Sequence, residues 1–176
     1  MKHILVVVDM QKDFVDGTLG TGEAVAIVDN VAAKIAAHNG PIVVTYDTHS
    51  ENYMDTAEGK KLPVPHCIKD TDGWQLNDRV AEALAGKEYT PIEKPTFGSV
   101  KLPRLVEELA AGEDFSLELI GLCTDICVVS NALLLKANFP EIPISVDASC
   151  CAGVTPESHT AALTTMSFCQ IDVTNA

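Results

Sequence analysis

One cysteine of this sequence stands where a reactive thiol would. Cys127 lies in segment 121–128 (GLCTDICV), where a predicted strand turns into a predicted helix. The positive end of a helix dipole stabilises a thiolate. A cysteine nucleophile also needs a base and a group that stabilises developing negative charge. Asp9 fits the base, Lys94 fits the stabilising cation, and backbone N–H groups at the helix start fit an oxyanion hole. The alternative is that Cys127 is a small buried hydrophobic side chain.

A second group of residues has the chemistry of metal ligands. Asp47 and His49 form an Asp-x-His pair, and His66 supplies a distant imidazole. Three such ligands suit zinc, iron or manganese and leave positions open for water or substrate. The alternative is a structural histidine beside a turn acid. The three residues fall in a long polar stretch, 47–73, and loops longer than about 12 to 15 residues are uncommon and often functional.

The remaining candidates admit plainer interpretations. Cys67 follows His66 but is expected to serve in packing. Three residues separate Cys123 from Cys127, so the pair is not the two-spacer redox motif, although a thiol redox protein with a bond between them stays an alternative. Trp74 fits either a pocket wall or the core, and His159 is expected at the surface or as a helix cap.

The elements that must position these residues alternate along the chain. Apolar runs and helical periodicity define the elements. They predict strands over 4–8, 42–46, 88–93, 116–121, 142–146 and 170–173, and helices over 24–37, 75–84, 99–111, 125–138 and 157–169.

This alternation predicts an α/β fold, a three-layer α/β/α arrangement around a six-stranded, mainly parallel sheet. Sites in such folds lie at the carboxyl ends of the strands. The candidate side chains follow five of the strands and are therefore expected at one edge of the sheet: Asp9, then Asp47 and His49, then Lys94, then Cys123 and Cys127, then Asp147.

Composition bounds the rest. The chain has 176 residues, 47% hydrophobic and 21% charged, which is typical of one globular domain over 1–176 and excludes a disordered chain. No apolar run reaches the ~18 to 20 residues of a membrane span. The N-terminal apolar run is too short for a signal peptide, so a cytoplasmic location with free cysteines is expected. The net charge of −13 predicts that neither nucleic acid nor an anionic membrane is a partner.

Three segments resemble the isochorismatase-like cysteine hydrolase superfamily, and the resemblance covers almost the whole chain. They are 7–14 (VVDMQKDF), 93–99 (EKPTFGS) and 121–128 (GLCTDICV). The resemblance implies the isochorismatase-like hydrolase fold. It also implies that Asp9 is the catalytic acid, Lys94 the catalytic lysine and Cys127 the nucleophile.

Two further segments resemble the metal segments of the nicotinamidase/pyrazinamidase branch: 47–49 (DTH) and 65–67 (PHC). This likeness implies a divalent ion, zinc first and otherwise iron or manganese, held by Asp47, His49 and His66. It also implies a cis peptide bond between Leu122 and Cys123. The backbone N–H groups of Cys123 and Cys127 would then form the oxyanion hole.

The implied reaction is hydrolysis of a small carboxamide, nicotinamide to nicotinate and ammonia, through a cysteine thioester. A homo-oligomer, dimer or tetramer, is implied by analogy. Where the branch has a tryptophan that stacks on the pyridine ring, this chain has Pro63, which leaves Phe14 as one wall of the substrate site. Ile126 also replaces an aromatic residue or histidine common before the nucleophile. The alternatives are an amidase of this fold acting on another amide or carbamoyl compound, and a non-catalytic binding protein.

Overall fold

A single parallel sheet of six strands organises the chain. The computed structural model describes residues 1–176. The strand order is β3-β2-β1-β4-β5-β6, and every neighbouring pair is parallel. The strands are β1 (Lys2–Val8), β2 (Ile42–Asp47), β3 (Thr90–Lys94), β4 (Phe115–Leu122), β5 (Ile144–Ala152) and β6 (Asp172–Thr174). All six predicted strands are therefore present.

Helices cover both faces of this sheet. They are α1 (Lys12–Val15), α2 (Gly22–Ala26), α3 (Val28–Ala37), α4 (Ala57–Lys61), α5 (Asp78–Leu84), α6 (Leu102–Ala110), α7 (Val129–Asn138) and α8 (Pro156–Phe168).

The central strand β1 divides the apolar core into two clusters, because successive side chains of a strand point to opposite faces. Ile4, Val6 and Val8 pack with α6, α7 and α8 on one face. Leu5 and Val7 pack with α3 and α5 on the other. The three-layer α/β/α prediction is confirmed.

Several predicted boundaries are wrong in informative ways. The helix predicted over 24–37 is two helices, α2 and α3, which meet at Ile27. The stretch 47–73 is not all loop: it contains a 3-10 turn (Tyr53–Asp55) and α4, whose N-cap Thr56 accepts a hydrogen bond from Gly59 N–H. The helix predicted over 125–138 begins with a π turn (Thr124–Val128) before α7.

The placement of Asp147 is also wrong. It lies within β5, which continues to Ala152 by pairing with the end of β4, where Gly121 lies opposite Cys151. The small residues of 147–152 carry little strand propensity, so the apolar pattern ended at 146. Asp147 therefore does not join the other candidate residues at the carboxyl edge.

At the carboxyl edge of the sheet, the backbones of β1 and β4 pack closely at Gly121. Gly121 has a φ of +115°, a value that favours glycine, and a Cβ atom there would overlap the carbonyl oxygen of Val8. The close approach brings Asp9, directly after β1, towards the turn that carries Cys127 after β4.

Candidate active site

Asp9 is completely buried at the end of β1. Its backbone has a φ of 47°, and its N–H donates to the carbonyl oxygen of Thr45 at 3.2 Å. The Thr45 hydroxyl donates to Asp9 Oδ1 at 2.6 Å. Asp9 Oδ2 lies 2.6 Å from Lys94 Nζ as an ion pair. This oxygen is therefore oriented towards the other candidate residues with the capacity to accept a proton.

Lys94 is the last residue of β3 and is 1% exposed. Its ammonium nitrogen lies 3.4 Å from Cys127 Sγ and 3.4 Å from Asp47 Oδ1, and it donates to the carbonyl oxygen of Thr96 at 3.1 Å. Burial opposes the charged form, but Asp9, Cys127 and Asp47 together outweigh it and raise the pKa of Lys94. The Lys94 ammonium group is thus buried and has anionic or polar partners in Asp9, Asp47, Cys127 and the Thr96 carbonyl.

Cys127 is buried in the π turn. Burial raises the pKa of its thiol well above the ordinary value, the Asp9 carboxylate adds to this effect, and Lys94 opposes it. The helix-start stabilisation of a thiolate, expected from the sequence, is outweighed. Because burial opposes ionisation of this sulfur, a base beside it would assist its reaction. Burial likewise raises the pKa of Asp9, although Lys94 lowers it, and a carboxylate with a raised pKa is a better proton acceptor.

The turn before Cys127 has the implied backbone form. The peptide bond between Leu122 and Cys123 is cis. The carbonyl oxygen of Cys123 accepts hydrogen bonds from Ile126 N–H at 3.1 Å and from Val128 N–H at 3.0 Å, which closes the turn. All cysteines are free thiols, so no bond joins Cys123 to Cys127.

Next to Lys94 lies a group of residues that could hold a metal ion. Asp47, His49, His66 and Glu58 each offer a ligand atom, and these atoms all lie within 4.8 Å of one another. His66 Nε2 is 3.5 Å from Asp47 Oδ2 and 3.6 Å from Glu58 Oε1, while His49 Nε2 is 2.8 Å from Asp47 Oδ2. Ligands bound at about 2.1 Å lie about 3.0 to 3.4 Å apart around one ion. The spacing and the mixed imidazole and carboxylate set therefore fit zinc, iron or manganese.

The two histidines are held ready for such an ion. His66 Nδ1 donates to the carbonyl oxygen of Val64 at 2.8 Å, which leaves Nε2 with its lone pair towards the cluster. His49 is tied to the same segment, because its N–H donates to the carbonyl oxygen of Cys67 at 3.0 Å. The ring of Tyr53 packs edge-on against both imidazoles, with centroids 4.8 and 5.0 Å away.

Asp47 links the candidate metal ligands to Lys94. Burial acts to raise its pKa, but hydrogen bonds from His49 and His66 and the charge of Lys94 lower it, so the group is a carboxylate. Its backbone is clamped by Gln11: Gln11 Oε1 accepts from Asp47 N–H at 2.8 Å, and Gln11 Nε2 donates to the Asp47 carbonyl oxygen at 2.9 Å.

Sequence reasoning missed Glu58 as a candidate ligand. It lies in the first turn of α4, between the two histidines along the chain. An acidic residue in a capped helix start within 47–73 was the available signal, but that stretch was treated as loop. Gln11 and Asp13 were missed as supports; Asp13 Oδ2 accepts from Cys67 N–H at 2.8 Å and so fixes the residue after His66.

The two aromatic candidates separate. The centroid of the Phe14 ring lies 5.4 Å from that of His66. Phe14 is therefore beside the candidate metal ligands, a position compatible with lining a substrate site. Trp74 instead stacks against Tyr46 at 5.3 Å, and its indole N–H donates to the Thr48 hydroxyl at 2.9 Å. Trp74 therefore packs against the end of β2.

Comparison with known proteins places this geometry in a family. The family model described as the isochorismatase domain matches residues 3–176. PncA of Bacillus subtilis (strain 168), described as an uncharacterized isochorismatase family protein, is 29% identical over 143 residues, 76% of this chain and 78% of that protein. A crystal structure described as nicotinamidase/pyrazinamidase PncA from Bacillus subtilis has a TM-score of 0.85 at 26% identity, covering 98% and 99% of the two chains.

Two further structures extend the comparison. N-carbamoylsarcosine amidase from Thermoplasma acidophilum has a TM-score of 0.75 at 27% identity, covering 98% of this chain and 95% of that one. The pyrazinamidase of Pyrococcus horikoshii, solved in complex with zinc, has a TM-score of 0.81 at 22% identity over 100% of both chains, and it shares the fold. Since the family model spans nearly the whole sequence, the chain belongs to the isochorismatase family.

Proposed function

We propose that this protein is a cysteine amidohydrolase that converts nicotinamide to nicotinate and ammonia. One observation carries the proposal: the buried Lys94 ammonium contacts Asp9, Cys127 and Asp47 together. A binding protein has no need of a buried base, cation and thiol in contact. The similarity to a structure described as a nicotinamidase/pyrazinamidase supports the choice of substrate.

The first half of the reaction forms a thioester. Asp9 Oδ2 takes the thiol proton of Cys127, and the sulfur attacks the amide carbon. Lys94 stabilises the negative charge, and the backbone N–H groups of Cys123 and Cys127 bind the oxyanion of the tetrahedral intermediate. The carbon–nitrogen bond then breaks, and the leaving nitrogen takes the proton from Asp9 and departs as ammonia.

The second half hydrolyses the thioester. Asp9, again a carboxylate, takes a proton from a water molecule that attacks the thioester carbon. The same donors hold the second oxyanion. Collapse of this intermediate breaks the carbon–sulfur bond, the proton on Asp9 returns to the sulfur of Cys127, and the carboxylic acid product leaves.

Asp47, His49, His66 and Glu58 would hold a divalent ion, with zinc the first choice. When bound, such an ion supplies Lewis acidity and a point at which the substrate's ring nitrogen or a water can be oriented. The chain's own contribution is to keep Asp47 ionised between the ligand set and Lys94. Phe14 supplies one wall for a planar ring beside His66.

A second candidate substrate class is another amide or a carbamoyl compound. Pro63 is the observation that favours it, because this position offers no aromatic ring to stack on a pyridine. The similarity to N-carbamoylsarcosine amidase fits the same alternative.

The test is ammonia release from nicotinamide, pyrazinamide and a panel of aliphatic amides and carbamoyl compounds. We expect release from nicotinamide, its loss on chelation, and its return with zinc, manganese or ferrous ion. Cys127→Ala should abolish turnover with the fold intact, and Cys169→Ala, which removes an exposed thiol, should not. Ammonia release from another compound and not from nicotinamide would overturn the substrate assignment. Full activity of Cys127→Ala would overturn the mechanism.

A further inference from the structure

Thr124, the first residue of the π turn, has an unusual partner. It is completely buried, and its hydroxyl is 2.8 Å from Nδ1 of His159, near the start of α8. Buried hydroxyl groups are almost always hydrogen-bonded. His159 supplies this partner from an element 35 residues later in the chain.

The neighbouring residue is held from the same side. Both carboxylate oxygens of Asp125 lie 3.2 Å from Val154 N–H, which donates to them at the junction between β5 and α8. The junction itself is tightly packed, since a Cβ atom at Gly153 would lie 2.8 Å from the backbone nitrogen of His159. Two consecutive residues of the turn that carries Cys127 are thus fixed from outside the catalytic group.

His159 is half-buried, and the expectation that it could cap a helix is wrong. The N-cap of α8 is Thr155, which forms a capping box with Ser158. Helix capping therefore does not require His159, and its ring is directed to Thr124.

We propose that His159 is a positioning residue, which holds Thr124 so that the Cys127 sulfur stays aligned with Asp9 and Lys94. Thr124 and Cys127 both lie in the five-residue π turn Thr124–Val128. A shift of Thr124 therefore moves the sulfur. The inference rests on the proposed role of Cys127 as nucleophile.

The test compares His159→Ala, Thr124→Val and the double variant. Each single change removes the same hydrogen bond. We expect kcat to fall about 10- to 100-fold with little change in KM, because small displacements of reacting groups cost that much. The double variant should lose no more than either single one, since both act through one contact. His159→Asn, whose amide reaches about as far as ring Nδ1, should recover most of the rate.

Ser158→Ala is the matched control. It removes the hydrogen bond that the Ser158 hydroxyl accepts from Thr155 N–H at the start of the same helix, one residue from His159 and without touching Thr124. It should lower Tm and leave kcat unchanged. The positioning role would be wrong if His159→Ala kept kcat, or if Ser158→Ala reduced it equally.

A second readout needs no substrate. The rate at which iodoacetamide alkylates Cys127, followed by peptide mass spectrometry, should change in His159→Ala and Thr124→Val and return towards the unmodified protein's rate in His159→Asn. If the unmodified protein released ammonia from no amide, the proposed function would fail. The alkylation rates would still decide whether His159 positions the sulfur, and unchanged rates in both variants would overturn that role.

Discussion

At the scale of single residues, Lys94 joins two groups that sequence reasoning treated separately. Asp9, Cys127 and the candidate metal ligand Asp47 all contact its ammonium nitrogen. The candidate catalytic residues and the candidate metal ligands are therefore one electrostatic unit. A change in one part alters the charge balance of the other.

Replacement of Lys94 tests this unit. Lys94→Met keeps the length of the side chain but leaves Asp9 and Asp47 without their cation. Breaking a buried pair costs about 3 to 5 kcal/mol, so we expect a large fall in the urea midpoint and no turnover. Lys69→Met is the control, because Lys69 pairs with Glu93 at 2.8 Å on the exposed surface. Equal midpoints for the two variants would contradict the prediction.

The sequence predicted Asp9, Lys94 and Cys127 because each follows a strand and lies in a motif. The structure brings the three together, as it does Asp47, His49 and His66. Gln11 could not be found in this way. It contacts Asp47 across 36 positions, a sequence separation that no local pattern encodes.

At the scale of elements, the buried carboxylate of Asp147 in β5 has structural contacts and does not belong to the candidate active site. Asp147 Oδ2 lies 2.7 Å from Lys34 Nζ on α3, and Asn175 Nδ2 donates to it at 3.0 Å. The Ser149 hydroxyl donates to Asp147 Oδ1 at 2.7 Å. This network ties α3, β5 and the end of the chain together, and it accounts for an acid that sequence reasoning placed at the functional edge.

The network predicts an acid dependence of stability. Burial acts to raise the pKa of Asp147, but the hydrogen bonds from Lys34, Ser149 and Asn175 outweigh it and lower that pKa. A lowered folded-state pKa adds stability above the unfolded value of about 3.9, and the gain is lost as pH falls below it. Asp147→Asn should therefore reduce the free energy of unfolding at pH 7 by about 1 to 3 kcal/mol, with a smaller difference at pH 3.

The measurement is urea unfolding at both pH values. Asp29→Asn is the control, because Asp29 pairs with Arg79 on the surface and should change neither curve. A deficit of equal size at both pH values would show that Asp147 acts through packing alone.

Elements were predicted where periodicity is strong and missed where it is weak. The continuous apolar run of β1 defines a strand buried on both faces. The division between α2 and α3 at Ile27 and the five-residue α4 carry too few turns for a periodic signal. The π turn at Thr124–Val128 was missed because its contacts come from distant residues, His159 on α8 and Val154 before it.

At the scale of the whole molecule, the candidate metal ligands connect β2 to α4 and to the segment before α5. An ion bound there would couple its binding to folding. At a free concentration 100 times Kd, binding adds about 2.7 kcal/mol. For a domain of this size that corresponds to a rise in Tm of about 5 to 11 °C.

We expect this rise when zinc is added to chelator-treated protein, followed by calorimetry. Glu58→Gln should reduce the rise and the affinity measured by chelator competition. Glu51→Gln, an exposed acid in the same stretch, should leave both as they are. Identical zinc titrations for the two variants would remove Glu58 from the ligand set.

The molecule's surface bears on its partners. No helix of the structure has the length and apolarity to cross a membrane. The net charge of −13 predicts that nucleic acid is not a partner. The cytoplasmic location and the dimer or tetramer also stay predictions.

Gly121 contributes to the chemistry without a functional group. Its missing side chain lets β1 and β4 close against each other below Asp9 and Cys127. Alanine there would add one methyl group to the seam, against the backbone of Val8. The seam between β1 and β4, below Asp9 and Cys127, thus has no space for a side chain at position 121. The packing of the two strands that precede Asp9 and Cys127 therefore depends on a residue that has no side chain.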